Sequence, residues 1–346
     1  MFALSFIDPP DPAYTAAALA AAQVELDQAR ERLCTLKQQC ATVTIDFARK
    51  CINPYELIGY AQSTPRQRSF YSFLELMARI PALRAVLGRN RTLHIGEAPG
   101  NFIDAVLHLQ PHADWHAISI NPGVPFYEHL QHAKKPNGHS RVMYGPDGSG
   151  NVMQPDLLLF VERELGVDRA ALITCDAGLW VDDKDRNQQE VLNMDLIAAE
   201  LRLAVTCVAL HGSVIIKMFD CFHTATHNLL RHVAGFFAET CVVKLDSGRI
   251  TSSERYVVLM DYQGQPYTPQ VPNYTEYWAP LIPSAVQLAR QQAQAINDTV
   301  QLATYLHAIN MTTPADARTL FTETLAVCHS RLQMAQEFLK RVEILK

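Results

Sequence analysis

Leu93-His94-Ile95-Gly96-Glu97-Ala98-Pro99-Gly100-Asn101-Phe102 is the run from which the fold is read. A short apolar stretch, Arg91–Gly96, passes into a turn with two glycines, and a helical pattern follows over Phe102–His108. The order is strand, tight turn, helix. Gly96 and Gly100 carry no Cβ, so the backbone can turn sharply and a ligand can approach it. The helix beyond opens with unpaired N–H groups. The spacing is neither the G-x-G-x-x-G of a dinucleotide site nor the G-x-x-x-x-G-K-[ST] of a triphosphate site. A nucleoside triphosphate ligand is therefore disfavoured.

Outward from this run, strands are predicted at Trp115–Ile120, Ala171–Cys175, Ser213–Phe219, Thr240–Lys244 and Tyr256–Asp261. Helices are predicted at Asp185–Leu210 and Thr224–Phe237. Strands that alternate with helices imply an α/β chain with a mostly parallel sheet covered on both faces. Such a sheet binds its ligands beyond the carboxyl ends of its strands.

The flanks read differently. From about Pro12 to Lys50, Leu19, Leu26, Leu33 and Cys40 recur every seven residues, with Ala22, Ala29, Leu36 and Val43 between them. This is a long helix, and its alanine- and cysteine-rich seam suits packing on its own domain better than a coiled coil. After Gln263-Gly264-Gln265-Pro266, prolines punctuate the chain. Two helices are then predicted, Ser284–Ile309 and Pro314–Ile344. Together with the N-terminal helix they are expected to form an appendage. The expected division is 1–47, an N-terminal helical extension; 48–265, the α/β domain; and 266–346, a C-terminal helical extension.

Composition sets wider limits. The 346 residues are 48% hydrophobic and 19% charged, the profile of a globular chain of about two domains. No apolar run nears the roughly 18 residues a membrane span needs, and the N-terminus lacks the basic start of a secretory signal. The eight cysteines form no C-x-x-C pair. They fit a reducing compartment, cytoplasmic or nuclear, and exclude zinc-ribbon spacing. His223 and His227 are four apart but lack cysteine or carboxylate partners in sequence, so an ordinary structural role outweighs a metal site. The net charge of −5 argues against a nucleic-acid partner. The stretch from Phe47 to Arg91, however, holds eight arginines and lysines against Glu56 and Glu75. That local excess could track an RNA backbone, and Tyr55, Tyr60, Phe70 and Tyr71 are interleaved with it.

Five further segments carry chemistry. Ser119-Ile120-Asn121-Pro122 lies at the end of the second predicted strand, and Tyr144-Gly145-Pro146-Asp147-Gly148-Ser149-Gly150-Asn151-Val152 is a glycine-rich loop. Cys175-Asp176-Ala177-Gly178 places an acid at a strand end. Val214-Ile215-Ile216-Lys217-Met218-Phe219 puts a lysine late in an apolar strand, and Lys244–Tyr256 contains Ser247, Arg249, Ser252 and Glu254.

In order and spacing, these segments and the opening run resemble the FtsJ-like ribose 2′-O-methyltransferases, most of all the eukaryotic and viral cap-specific members. Their patterns run roughly E-A-P-G-x-F, L-N-P, Y-G-x-D-G-T-G-D-I, A-D-G-G, S-F-V-x-K-x-F and K-x-x-x-S-R-x-x-S-x-E-R-Y. The segment Asn53-Pro54-Tyr55-Glu56 is similar to their N-P-[FY]-E. The resemblance covers about residues 48–262 and leaves the terminal helices unexplained. It implies a Rossmann-like methyltransferase fold with a seven-stranded sheet. It also implies S-adenosylmethionine as cofactor and RNA, near a capped mRNA 5′ end, as partner. No metal and no membrane are expected, the chain could be virus-encoded, and the terminal helices could dock a protein.

Residue by residue, the resemblance makes Asp176, Lys217 and Glu254 the last three members of a Lys-Asp-Lys-Glu catalytic tetrad. Gly96, Glu97, Ala98, Pro99, Gly100, Phe102, Asn121, Asn151 and Asp176 would hold the cofactor, and Lys50, Arg66, Arg68, Arg249 and Ser252 would contact RNA. A ribose hydroxyl is a poor nucleophile, and a lysine held by carboxylates can take its proton. The first tetrad lysine is missing. In Arg68-Ser69-Phe70-Tyr71-Ser72-Phe73-Leu74-Glu75 its slot holds Ser72, which should raise the pKa of Lys217. Either Arg68, one turn earlier on the same helix face, supplies the charge, or the chain keeps the fold as a catalytically inactive RNA- or protein-binding subunit.

Overall fold

The computed structural model describes residues 4–7, 16–41, 67–89, 91–134, 141–249, 251–268 and 277–308, with the isolated positions 333, 337 and 340. Its strands are β1 (Leu4–Phe6), β2 (Arg91–Ile95), β3 (Asp114–Ile118), β4 (Val142–Met143), β5 (Ala170–Cys175), β6 (Val208–Phe219), β7 (Phe237–Val243) and β8 (Glu254–Tyr262). Its helices are α1 (Ala16–Ala41), α2 (Arg68–Arg79), α3 (Pro81–Leu87), α4 (Asn101–Leu109), α5 (Glu128–Gln131), α6 (Pro155–Leu165), α7 (Gln189–Leu192), α8 (Met194–Cys207), α9 (Thr224–Ala234) and α10 (Ile282–Ala308).

The strands form one sheet in the order β1-β7-β8-β6-β5-β2-β3-β4. From β4 to β6 neighbouring strands run parallel, and β8, β7 and β1 add antiparallel pairings. The chain reverses direction of travel across the sheet between β2 and β5, and ligands of such sheets sit beyond the carboxyl ends at that crossing. Side chains alternate across the sheet. Val214 and Ile216 of β6 join a core with α1, α6, α8, α9 and α10. Ile215 joins a second core under α2, α3 and α4. Both faces are thus covered, as a parallel sheet requires.

Local signals explain the boundaries. Ile80 precedes Pro81 and takes an extended conformation (φ −122°, ψ 90°), which ends α2 and lets α3 start with proline in its first turn. Several expectations need correction. The predicted helix Asp185–Leu210 is a 3-10 turn (Asp183–Gln188), then α7 and α8, and Val208–Leu210 already belong to β6. The seven expected strands are β2–β8; β1 adds an eighth at the β7 edge, and its three residues carry too little pattern to announce it. The sequence pattern announces neither α6 nor β4. The terminal helices are no appendage: Leu26, Ala29 and Leu33 of α1 and Ala285, Leu288 and Ile296 of α10 are buried in the main core. The N-P-[FY]-E segment and most of the predicted helix Pro314–Ile344 lie outside the described residues.

Candidate active site

Sheet register builds the centre. Lys217 of β6 faces Tyr256 of β8, and Phe219 faces Glu254. Residues two apart share a face, so these four side chains emerge together. Asp176 follows the last residue of β5 and is tied by its N–H to the carbonyl of Ile95 at 2.9 Å. Lys217 Nζ then lies 3.3 Å from Asp176 Oδ1 and donates to the Asp176 carbonyl at 2.5 Å. The Tyr256 hydroxyl donates to the same Oδ1 at 3.3 Å.

The electrostatics favour a charged lysine. Burial alone would lower the pKa of Lys217, but Asp176, Glu254 and Glu200 overcome it and hold the ammonium above the ordinary lysine value. The carboxyl groups are shifted upward as well, toward their neutral forms. Burial raises Asp176 despite Lys217, and Glu200, buried on α8, is raised to about 8. Glu97 is raised well above the usual range by burial and then by Asp176.

The opening turn binds itself together. Gly96 has φ +66° and Gly100 φ +110°. A Cβ on Gly96 would lie 2.4 Å from Ala177 Cβ, so glycine is needed for β2 and the Asp176 loop to meet. Glu97 Oε1 accepts the N–H of Phe102 at 2.7 Å, while its Oε2 is buried without a partner. Glu200 shows the same pattern: Oε1 accepts from the Ala177 N–H at 3.1 Å and Oε2 has no partner. Two buried carboxyl oxygens beside Asp176 and Lys217 thus lack a partner, so a ligand that brings hydrogen-bond donors or positive charge suits the site. S-adenosylmethionine, with its sulfonium and ammonium groups, fits that donor set.

The other expected cofactor residues divide. Asn121 N–H donates to the Ser149 carbonyl at 2.7 Å and its Nδ2 to the Gly148 carbonyl at 3.0 Å, which docks the glycine-rich loop on the end of β3. Asn151 Oδ1 already accepts the N–H of Met153 at 3.0 Å. The Phe102 ring is fully buried between Phe73 and Tyr256, so its side chain packs in the core while its N–H faces the turn. Ala98 and Pro99 lie in the turn that opens α4.

Ser72 is 1% exposed. Its hydroxyl donates to the Arg68 carbonyl at 3.3 Å and accepts from Ser247 Oγ at 3.2 Å. Glu75, one turn on, accepts the Asp246 and Ser247 N–H groups. The tetrad slot therefore fastens α2 to the β7–β8 loop. Arg68 begins α2 and is half-buried; burial and then the Asp176, Glu254 and Glu97 carboxyls push the Tyr256 hydroxyl well above its usual pKa, with Arg68 opposing them only weakly.

Of the expected RNA contacts, Lys50 and Arg66 lie outside the described residues. Arg249 is exposed in the β7–β8 loop, and its carbonyl accepts from Ser252 Oγ at 2.7 Å. Among the described residues, the basic stretch is not one patch. Arg79 pairs with Glu75 at 2.8 Å, Arg91 with Asp114 at 2.8 Å, and Arg89 binds the Leu210 and His211 carbonyls. Arg91 begins β2, at the sheet end opposite the site. His227 is buried between the Cys221 carbonyl and the Trp278 N–H, a structural role.

Sequence reasoning missed two site residues. Tyr256 stood in the quoted run, two after Glu254, where strand period puts it on the same face. Glu200 interrupts the apolar stripe Ile197, Leu201, Ala204 of α8, and an acid on a buried stripe is itself a signal.

Comparison with known proteins supplies the family. The FtsJ-like methyltransferase family matches residues 65–262, more than half of the chain, and the chain belongs to it. A cap-specific mRNA (nucleoside-2′-O-)-methyltransferase of Autographa californica nuclear polyhedrosis virus is 26% identical over 205 residues, 59% of this chain and 75% of that protein. Cap-specific mRNA (nucleoside-2′-O-)-methyltransferase 2 of Danio rerio is 25% identical over 285 residues, 78% of this chain but only 38% of that protein. A ribosomal RNA methyltransferase structure from Plasmodium falciparum superposes with a TM-score of 0.43 at 20% identity, covering 58% of this chain and 100% of that one. No described helix is long and apolar enough to cross a membrane.

Proposed function

From the premise that the chain is an FtsJ-like methyltransferase, whose cofactor is S-adenosylmethionine, we propose that it methylates a ribose 2′-hydroxyl of RNA near the capped 5′ end. The observation that carries this reading is the convergence of Lys217, Asp176, Glu254 and Tyr256 at the carboxyl ends of β5 and β6. Glu97, Asn121 and the glycine-rich loop would hold the cofactor, which supplies a methyl group on a sulfonium when bound. Lys217 Nζ takes the hydroxyl proton. Asp176 fixes the amine through contacts at its Oδ1 and its carbonyl, and the Tyr256 hydroxyl steadies that carboxylate. Arg68, at the start of α2 one turn before Ser72, would supply positive charge near the slot of the missing lysine. Orientation of the attacking oxygen supplies much of the rate.

A second reading is favoured by Ser72: its slot is filled by the contact with Ser247, and an inactive subunit would keep the fold and bind RNA or protein. Calorimetry with S-adenosylmethionine, followed by methyl transfer to capped RNA, separates the two. Transfer that Lys217→Ala abolishes supports the enzyme. Cofactor binding without transfer supports the inactive subunit.

A further inference from the structure

Both terminal helices reach into the loop between β7 and β8. Lys37, near the end of α1, donates from Nζ to Asp220 Oδ2 at 2.9 Å and to Ser253 Oγ at 2.6 Å. Gln292 of α10 donates from Nε2 to the Thr251 carbonyl at 3.1 Å. Neither helix lies within residues 65–262, where the family matches.

The contacts fall beside a catalytic position. Asp220 and Ser253 are the neighbours of Phe219 and Glu254, which face each other across the β6–β8 ladder. The Asp220 N–H donates to the Ser253 carbonyl at 3.1 Å. Asp220 holds φ +40°, a left-handed conformation that a non-glycine residue keeps only where its surroundings enforce it. Its carboxylate is shared by Lys37 and by Arg255, whose Nη2 lies 2.9 Å away in full burial. Lys37 thus bridges both strand ends one residue beyond Glu254. On the inner side Lys244 Nζ donates to the carbonyls of Ser252 at 2.5 Å and Glu254 at 2.6 Å. The loop is held from within by the sheet and from without by the terminal helices.

We infer that Lys37 and Gln292 are positioning residues of the active site, bracing the β7–β8 loop and with it Glu254 and Arg249. The kinetic consequence rests on the proposed function; the bracing does not. Misplacement of a reacting group by about 1 Å can cost about a hundredfold in rate, so a contact next to Glu254 has leverage.

Two measurements test this on the full chain. Lys37→Met keeps the stem and removes the ammonium. It should lower kcat about tenfold or more while leaving KM for S-adenosylmethionine little changed, and Lys37→Arg should recover most of the loss. Glu25→Ala breaks the exposed α1–α10 pair with Arg290, 2.6 Å long, and touches no part of the loop; its kcat should match wild type. Amide exchange read by mass spectrometry should quicken over residues 246–254 in Lys37→Met and in the milder Gln292→Ala, but not in Glu25→Ala. Unchanged exchange there in both variants, or an equal effect from Glu25→Ala, overturns the inference. A wild-type chain that transfers no methyl group sinks the proposed function instead, and exchange alone then decides the brace.

Discussion

Lys217 and Tyr256 face each other across the β6–β8 ladder and both reach Oδ1 of Asp176, each at 3.3 Å. One carboxylate oxygen therefore gathers an amine and a hydroxyl from neighbouring antiparallel strands. Lys217→Ala removes the proton acceptor and should cut kcat by about 10²–10⁴ without loss of cofactor affinity. Tyr256→Phe removes one donor to a charged acceptor, worth about 1.5–3 kcal/mol, and should reduce kcat by about ten- to a hundredfold. Single-turnover methyl transfer to capped RNA measures both; equal rates in Tyr256→Phe and wild type would remove Tyr256 from the mechanism.

Ser72 and Arg68 should behave oppositely. Ser72→Ala loses a hydroxyl that bonds the Arg68 carbonyl and Ser247 Oγ. It should cost about 1 kcal/mol of stability and leave kcat within about twofold, since no charge is removed. Arg68→Gln should lower kcat well beyond its effect on RNA affinity measured by filter binding. Equal losses in rate and affinity would make Arg68 an RNA contact only.

The pH dependence follows from the raised groups. Lys217 must be neutral to take a proton and is held above its ordinary value, so kcat/KM should climb with pH through neutrality into the alkaline range. Asp176→Asn deletes the first carboxylate that raises it and should move any remaining climb to lower pH. Stability has its own signature. Glu200 ionises at about 4.5 unfolded and about 8 folded, so the folded chain binds more protons between those values. Stability conferred by that bound proton is full below about 4.5 and is lost as pH rises through about 8. The melting temperature of the cofactor-free protein should fall across that window, and Glu200→Gln should flatten the fall. An unchanged slope would show that Glu200 is not held neutral.

Two glycines of the Tyr144–Val152 loop offer a matched comparison. Both have positive φ, +72° at Gly148 and +62° at Gly150. A Cβ on Gly148 meets nothing within 4 Å, whereas one on Gly150 would lie 1.8 Å from the Ser119 carbonyl oxygen. Gly148→Ala should cost only the left-handed penalty, about 1–2 kcal/mol. Gly150→Ala should cost more and should also weaken S-adenosylmethionine binding in calorimetry, because it pushes the loop off the end of β3. Equal melting temperatures for the two variants would contradict this packing.

Much of this molecule is legible in its sequence, and the reasons are local. The apolar run Val214–Phe219, interrupted late by Lys217, announces a buried strand, and Gly96 and Gly100 announce a tight turn. The same kind of pattern places Asp176 at a strand end. Short or context-dependent elements escape. β1 is three residues held by pairing with β7, and Phe102 sits in a motif that suggests ligand contact while its ring fills the space between Phe73 and Tyr256.

Six of the eight strands and the glycine turns are written in local patterns of the chain, and the candidate residues Asp176, Lys217 and Glu254 stand in short motifs that resemble a known family, because each such signal depends on residues close together in sequence. Tertiary structure alone decided what those groups meet. Lys37 and Ser253 are 216 positions apart yet share a hydrogen bond, and Ser72 reaches Ser247 across 175. Such contacts arise from how helices bury their apolar faces on the sheet, and no local pattern records which polar side chains that packing brings together. Charge shows it most plainly: arginines that cluster between Phe47 and Arg91 in sequence are sent by the fold to Glu75, to Asp114 and to the far end of the sheet.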